Sequence, residues 1–410
     1  MIQTFYCKKC VYSSHSVNTS FDEKGVCSSC NAISKFTNIP ENEWKKRKEI
    51  FEKILINGTK NNNSNYDVLI PVSGGKDSYY QTHLICSEFK HLNLKPLLVT
   101  YDGDNFLEEG IQNRDKMKDL FNVDHIIFSP SIEKLKILNL VGFKVMGDMN
   151  WHNHAGIETY PVSVASKYQI PFVIWGETIA DIWGMHEPDD YVEMSNRMRI
   201  EHVMRGFEYD DMVKASDGQL SKKDLLWAIY PEEEDLLKNN IRGLYIGNFF
   251  PWRPNDHYEL MKKLYNWQPA KKPFERTYRQ FSNLDNIFEN GVHDLMKFIK
   301  FGYGRASDHS GKDIRDGLMT REEGVKMVEK YDHVISSDLE YWCDYVNISK
   351  EEFFKTADKF REPSVWWIKN NEWYKNCIDG TAKPFGDVHL SKEEIENFTT
   401  KQKSILKNSN

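Results

Sequence analysis

A short apolar run at residues 67–72 leads directly into Ser-Gly-Gly-Lys-Asp-Ser at residues 73–78, and a helix is predicted to follow from Asp77 to Phe89. Two adjacent glycines let the backbone turn tightly, so successive amide groups can face one anion. The helix N-terminus adds partial positive charge there. The pattern predicts a phosphate-binding loop at the carboxyl end of a buried strand. Its residues are Ser73, Gly74, Gly75, Lys76, Asp77 and Ser78.

This loop differs from the two commonest nucleotide-binding loops. The loop of many ATPases requires Gly-x-x-x-x-Gly-Lys followed by Ser or Thr. Here Asp77 follows the lysine, and Ile70 occupies the place of the first glycine. The dinucleotide pattern Gly-x-Gly-x-x-Gly is also missing from this segment. The alternative interpretation is an ordinary junction between a strand and a helix.

Short apolar runs alternate with helical patterns through the middle of the chain. This alternation is typical of a parallel sheet covered on both faces, so the expected fold class is α/β, with a doubly wound, five-stranded parallel sheet. The last third of the chain is predicted to be mainly helical. The five predicted strands are Asp67–Val72, Pro96–Thr100, His125–Phe128, Pro171–Trp175 and Gly243–Phe249.

The chain has 410 residues, which suggests two or three domains. Its first part contains two Cys-x-x-Cys pairs, and an Asn-rich stretch near residue 60 reads as a linker. The expected division is a zinc ribbon at 1–40, a helix and linker at 41–65, a nucleotide-binding domain at 66–255, a mainly helical region at 256–398 and a polar tail at 399–410.

Cys7 and Cys10 form one Cys-x-x-Cys pair, and Cys27 and Cys30 form a second pair sixteen residues later. Each tight turn can present two thiolates, and zinc favours four such ligands in a tetrahedron. We therefore expect a structural Zn²⁺ site, because four thiolates leave no open position for catalysis. A ribbon of this size could not build a core without the metal.

The composition argues against some partners and locations. Lys and Arg total 54 and Asp and Glu total 61, giving a net charge of −7, whereas proteins that grip nucleic acid usually carry a basic excess. No apolar run approaches the length that spans a bilayer, and the N-terminus lacks the pattern of a signal peptide. We expect no nucleic-acid partner, no membrane insertion and a cytoplasmic location.

The loop resembles the PP-loop of the ATP pyrophosphatases, Ser-Gly-Gly-x-Asp-Ser. That resemblance implies cleavage of ATP between its α and β phosphates, transfer of AMP to a substrate oxygen, and displacement by a nucleophile. It also implies a sheet in which strand four lies beside strand one, with the nucleotide at the strand ends. Val99, Tyr101 and Asp102 are then expected near the adenosine, and Gly176, Glu177 and Asp181 near Mg²⁺ or the reacting group. The alternative for each carboxylate is a helix cap or a solvated charge.

Together with the ribbon, three further segments resemble the N-acetyl sugar amidotransferase family over most of the chain, from Cys7 to about Tyr331. The segments are Asn150–His154, Phe301–His309 and Asp316–Glu323. The family acts on bacterial surface glycans, including in pseudaminic acid modification. The resemblance implies conversion of an acetamido group of a sugar, free or nucleotide-activated, to an acetamidino group by way of an adenylylated oxygen.

The same resemblance assigns roles to particular residues. Lys76, Asp77, Glu177, Asp181 and Arg305 are the expected catalytic residues, with ATP, Mg²⁺ and structural Zn²⁺ as cofactors. The expected sugar-binding residues are Asn150, Trp151, His152, His154, His309 and Lys312. For the Trp/His cluster the alternative is packing with satisfied polar groups, and for Arg305 it is a surface charge.

Ammonia would have to come from elsewhere, because Cys86, Cys343 and Cys377 lack the sequence context of a glutaminase nucleophile. We expect a separate glutaminase subunit. Two rival functions remain open. One is a tRNA-modifying enzyme of the thiolase or lysidine-synthetase type, which the acidic composition disfavours. The other is a non-catalytic nucleotide-binding scaffold with a zinc ribbon.

Overall fold

A five-stranded parallel sheet lies at the centre of the computed structural model, which describes residues 4–177 and 187–408. Its order is β3-β2-β1-β4-β5, and every neighbouring pair is parallel. This confirms the predicted fold class, including the placement of strand four beside strand one. The strands are β1 (Val68–Pro71), β2 (Pro96–Tyr101), β3 (Asp124–Phe128), β4 (Phe172–Trp175) and β5 (Arg242–Tyr245).

Helices cover both faces of this sheet because its central strand is apolar on both sides. Val68 and Ile70 belong to one hydrophobic core, and Leu69 belongs to another. This alternation follows from the two-residue repeat of a strand. The helices of this part are α1 (Ser28–Thr37), α2 (Glu41–Thr59), α3 (Lys76–His83), α4 (Glu108–Phe121), α5 (Ile132–Met146), α6 (Trp151–Tyr168), α7 (Asn196–Met198), α8 (Tyr209–Ala215), α9 (Glu233–Lys238) and α10 (Pro254–Tyr265).

The C-terminal region is mainly helical, as predicted. The sequences Thr-Arg-Glu-Glu at 320–323 and Ser-Lys-Glu-Glu at 349–352 have the pattern of a capping box, and each opens a helix with both capping bonds formed. Gly302 ends the helix Ile287–Phe301 with a φ of +75°, a conformation that favours glycine at a helix end. The helices are α11 (Ile287–Phe301), α12 (Arg305–Arg315), α13 (Arg321–Tyr331), α14 (Asp338–Val346), α15 (Lys350–Ala357) and α16 (Lys392–Asn408).

A three-stranded antiparallel sheet in this region was not predicted. It consists of β6 (Trp366–Lys369), β7 (Glu372–Asn376) and β8 (Ala382–Asp387). Asn370 and Asn371 join the first two strands with φ of 52° and 62°. A two-residue turn with both φ values positive matches the right-handed twist of a hairpin, and asparagine tolerates this conformation.

Other boundaries differ from the predicted ones for local reasons. β5 ends at Tyr245 because residues 246–248 form a 3₁₀ turn. The sequence pattern indicates a helix at 158–168, whereas helix α6 begins at Trp151 and continues through Pro161. At the C-terminus, the segment expected to be a polar tail is helical as far as Asn408. In the part of the chain that the structure describes, no helix is long and apolar enough to cross a membrane.

Candidate functional site

The glycine loop follows β1 and passes into α3, as the sequence predicted. Gly74 has a φ of +82°, and a β-carbon there would lie 2.6 Å from the amide nitrogen of Arg114. Glycine is therefore required both by the left-handed backbone and by the close approach of α4. The indole of Trp267 donates to the Gly74 carbonyl oxygen at 2.8 Å, which fixes the turn from the other side. The first amides of α3 have no acceptor within the helix, so they are available to an anion.

Lys76 and Asp77 stand at the start of α3 and form an ion pair of 2.6 Å. The Asp77 Oδ1 atom also accepts a hydrogen bond from Nδ1 of His257, over 3.0 Å. Burial raises the pKa of the Asp77 carboxyl, but Lys76 and His257 oppose this and hold the pKa well below its usual range. Asp77 is therefore a fixed negative charge beside the loop.

His257 was not predicted as a site residue. Burial lowers its pKa, although Asp77 opposes the shift, so the imidazole is neutral near pH 7. A carboxylate only accepts, so the proton lies on Nδ1. The ring stacks on Tyr80 at a centroid distance of 3.8 Å. These contacts hold the Asp77 side chain in one orientation.

The ends of β1 and β4 lie side by side, as expected at the point where the strand order reverses. Gly176 and Glu177 follow β4 and line the same cavity as the glycine loop. Glu177 has a φ of +78°, an uncommon conformation for a residue with a side chain. Its carbonyl oxygen accepts from the Gly247 amide at 3.0 Å, which helps to hold this conformation. Asp181, predicted to act beside Glu177, lies outside the described residues.

The cavity at these strand ends has a volume of about 730 Å³. Its walls come from the glycine loop, the end of β2, helix α6 and the C-terminal region. Most of the predicted site residues meet here although they are far apart in the sequence. Those lining it are Ser73, Gly75, Lys76, Asp77, Ser78, Val99, Tyr101, His154, Gly176, Glu177, Arg305, His309 and Lys312.

The wall facing the loop is basic. Arg305 pairs with Asp294 through its Nε at 2.9 Å; burial lowers its pKa, but Asp294 and Asp308 raise it more, so the guanidinium stays charged. Arg279, which was not predicted, lines the cavity and forms an ion pair with Asp313. His309 is buried beside these cations, and both burial and their charges hold its pKa well below the usual value. This wall therefore combines fixed positive charges with a neutral imidazole.

Glu158 is a second residue that the sequence did not single out. It lines the cavity from α6. Burial and the charge of Glu177 together raise its pKa to about 7, although Arg199 opposes the shift. A carboxyl group that titrates near neutral pH in a cavity can accept or donate a proton during a reaction. His154, on the same helix, has a pKa lowered to about 3 by burial.

Several predicted residues do not line the cavity. Gly74 packs against the backbone of α4 at Arg114. Asp102 forms an ion pair with Arg114 at 2.6 Å. Trp151 is 1% exposed and donates from its indole to the carbonyl oxygen of Phe207 at 2.9 Å. These contacts place Asp102 in a structural ion pair and Trp151 in the core.

Two more predicted sugar ligands are also buried away from the cavity. His152 is fully buried and contacts Glu289 at 3.0 Å and the Tyr101 hydroxyl at 3.1 Å. Asn150 donates to the side chain of Asn290 at 3.0 Å. For Asn150, Trp151 and His152, the structure corresponds to the packing alternative expected from the sequence.

The four N-terminal cysteines form a buried cluster, with all four sulfur atoms within 4.8 Å of one another. The Cys10 and Cys27 sulfurs are 3.6 Å apart, and those of Cys7 and Cys30 are 4.0 Å apart. Four thiolates around one tetrahedral ion with bonds of about 2.3 Å lie about 3.8 Å apart. Backbone amides point at these sulfurs, including that of Cys27 toward Cys7 at 3.3 Å. The cluster is therefore a candidate metal site with the spacing of a single ion.

Comparison with known proteins adds one functional indication. Residues 275–378 match a family described as LPS biosynthesis protein WbpG-like, C-terminal domain. The matched segment is about a quarter of the chain, and it contains Arg279, Arg305, His309 and Lys312. It therefore supplies the basic wall that faces the glycine loop.

A curated relative and several solved structures are also similar. The uncharacterized protein MJ1599 of Methanocaldococcus jannaschii is 32% identical over 124 residues, which are 30% of this chain and 42% of that protein. The chain thus matches less than half of that relative's length. The U34-tRNA thiolase NcsA of Methanococcus maripaludis has 16% identity and a TM-score of 0.31, over 78% of this chain and 88% of that one. An NAD synthetase of Campylobacter jejuni has 15% identity and a TM-score of 0.26, over 48% of this chain and 93% of that one. Structural likeness at these scores carries no functional inference.

Proposed function

We propose that this chain is an ATP-dependent amidotransferase that converts an acetamido group of a bacterial surface-glycan sugar to an acetamidino group. The main observation is that one cavity joins the glycine loop after β1 to the basic wall from residues 275–378. The loop and sheet support ATP as the energy source. The segment match supports a place in lipopolysaccharide synthesis, and the resemblance to N-acetyl sugar amidotransferases supports the reaction type.

The proposed reaction has two steps. The acetamido oxygen attacks the α-phosphorus of ATP, the bond to the bridging oxygen breaks, and pyrophosphate leaves. Ammonia then attacks the activated carbon, the carbon–oxygen bond breaks, and AMP carries that oxygen away. An amide oxygen is a poor leaving group, whereas a phosphate monoester is a good one, so ATP cleavage makes the substitution possible. The product is an amidine.

The side chains of the cavity suit the charges of this reaction. Lys76 and the first amides of α3 would face the phosphates from one side, and Arg279 and Arg305 from the other. Magnesium prefers carboxylate and phosphate oxygens, and Asp77 and Glu177, which both line the cavity, would hold it. When bound, the ion would neutralise charge on the phosphates. Glu158 would take the proton that attacking ammonia must lose.

The remaining cysteines support an external source of ammonia. Burial raises the pKa of the Cys86 thiol to about 12 and that of Cys343 to about 11. Burial also raises the pKa of Cys377. A glutaminase nucleophile needs a thiolate, so none of these three is activated for that chemistry. We propose that a separate glutaminase subunit supplies ammonia.

For the cluster of four N-terminal cysteines we propose Zn²⁺, because a multi-iron cluster spreads its thiolates farther apart.

The test is to incubate the purified protein with ATP, Mg²⁺, ammonium salt and a panel of acetamido sugars, free and nucleotide-activated. Mass spectrometry should show a product about one mass unit lighter, because NH replaces an oxygen atom, as expected for nucleophilic exchange. AMP and pyrophosphate should form only with an acceptor. Glutamine should not replace ammonium for the chain alone.

Variants of loop residues test whether the glycine loop is needed for AMP formation, apart from any effect on stability. Ser73→Ala and Asp77→Ala should abolish AMP formation and leave the bound metal in place. Asp119→Ala is the matched control, because Asp119 is an exposed carboxylate on α4. AMP formation retained in both loop variants would contradict the site assignment. A salt-sensitive complex with bulk tRNA would favour the tRNA-modifying alternative, and nucleotide binding with no turnover on any acceptor would favour the scaffold.

A further inference from the structure

A second cavity, of about 270 Å³, lies between the N-terminal ribbon and helix α11. Val17 and Ser29 of the ribbon line one side, and Lys297 and Lys300 of α11 line the other. The ribbon is held against this region, since the amide of Val17 donates to the Tyr303 hydroxyl at 3.0 Å. The second cavity shares wall residues with the cavity beside the glycine loop, which is called the nucleotide cavity below, so the two are neighbours. The shared residues are Tyr12, His202, Arg205 and Asp308.

This second cavity is strongly basic. Arg205 and His293 share the buried carboxylate of Asp148, at 3.1 and 2.8 Å. Lys297 forms an ion pair with Asp308. These contacts compensate part of the positive charge with two carboxylates, but three side chains that are cationic near pH 7 line the cavity: Arg205, Lys297 and Lys300.

Lys300 is the cation of this cavity that has no direct ion pair. It is 7% exposed, and its Nζ donates to the carbonyl oxygen of Met146 at 3.4 Å. No carboxylate among residues 4–177 and 187–408 lies within ion-pairing distance of it. Burial lowers its pKa to about 8, with Asp148 opposing the shift and Arg205 adding to it, so it still carries a proton near pH 7. A buried ammonium that no carboxylate contacts directly is costly, and an anion bound beside it would lower that cost.

We propose that this second cavity binds an anionic group of the acceptor, a phosphate or a carboxylate. The inference rests on the proposed function, because it takes the acceptor to be a sugar whose acetamido group reacts in the neighbouring cavity. Such a molecule would span both cavities past Arg205, which lines each of them. The acceptor class is therefore an acidic sugar derivative, and neutral acetamido sugars should bind poorly.

Binding of three probes tests this with the full chain, while a non-hydrolysable ATP analogue saturates the nucleotide cavity. UDP-N-acetylglucosamine offers a diphosphate, N-acetylneuraminic acid offers a carboxylate, and N-acetylglucosamine is neutral. Titration calorimetry should show that at least one anionic probe binds more tightly than the neutral sugar. The tighter of the two identifies the source of the charge.

Lys300→Gln should weaken that anionic probe by about tenfold or more, the effect expected for a lost charge-assisted hydrogen bond. Arg205→Gln, at a partly exposed position, should do the same and guards against misfolding of the buried variant. Lys263→Gln is the control, because Lys263 is exposed on α10 and the change of charge is identical. Affinity for the ATP analogue should stay unchanged in Lys300→Gln and Lys263→Gln, neither of which lines the nucleotide cavity.

The proposal is overturned if neither anionic probe binds more tightly than N-acetylglucosamine. It is also overturned if Lys300→Gln and Arg205→Gln bind the anionic probe as well as the wild-type chain does. Because these are binding measurements, they do not depend on turnover. Loss of anion binding in the variants of a chain that never releases AMP would support this subsite and contradict the amidotransferase function.

Discussion

Replacement of Gly74 by alanine should lower the free energy of unfolding in two ways, through the backbone conformation and through a steric clash. The φ of +82° costs an alanine about 1–2 kcal/mol. The new β-carbon would also lie 2.6 Å from the Arg114 amide nitrogen and 2.7 Å from its Cα, and backbone atoms of α4 cannot rotate away. Overpacking of this kind adds about 1–3 kcal/mol. We expect a total loss of about 2–5 kcal/mol in the free energy of unfolding.

Gly218→Ala is the matched control, because Gly218 has a φ of +81° and its β-carbon would have no atom within 4 Å. It should lose only the conformational part, about 1–2 kcal/mol. Urea unfolding of both variants, with the slope checked for constancy, measures the difference. ATP affinity, measured by titration calorimetry, should fall at least tenfold in Gly74→Ala alone. Equal losses of stability in the two variants, with ATP affinity unchanged in both, would refute the reasoning.

Three further predictions concern the metal site, the titrating carboxyl and the support of the loop. Cys10→Ser should lose the metal proposed for the cysteine cluster, as measured by elemental analysis. It should also weaken acceptor binding, because the ribbon lines one side of the second cavity. Full metal content would contradict the metal site. Glu158 has a pKa raised to about 7 from its ordinary 4.5, so its neutral form stabilises the fold below pH 4.5 and this contribution is lost as the pH rises through 7. Glu158→Gln should therefore match the wild type in stability at pH 4.5 and exceed it at pH 8, and equal stabilities at both pH values would count against the shift. Trp267→Phe leaves the Gly74 carbonyl without its donor and should cost about 1–3 kcal/mol in urea unfolding; no loss of stability would show that this bond does not support the loop.

The parallel sheet was predictable because its signals are local. Each strand of the sheet is a short apolar run between helical patterns. The sequence pattern of residues 108–121 is that of a helix, and α4 has these bounds. The spacing of the cysteines likewise predicted the buried cluster. In these segments, the residues adjacent in sequence are enough to determine the local structure.

The rest of the site depends on contacts between distant parts of the chain. His257 reaches Asp77 across 180 residues, and nothing around it in the sequence marks it. Glu158 has a raised pKa because of where α6 packs, which its helical context does not reveal. The opposite holds for His152, whose neighbours suggested a ligand but whose partner Glu289 lies 137 residues away and buries it.

The cavity is built from segments that lie far apart in the chain, from Tyr12 to Lys312. Tyr12 reaches Asp308 across 296 residues, and Trp267 reaches Gly74 across 193. The cavity's lining residues run from Tyr12 to Lys312, so a nascent chain completes the cavity only after residue 312 has left the ribosome. A chain that ends before this point has the glycine loop but lacks the wall opposite, so on the proposed function it should not turn over ATP.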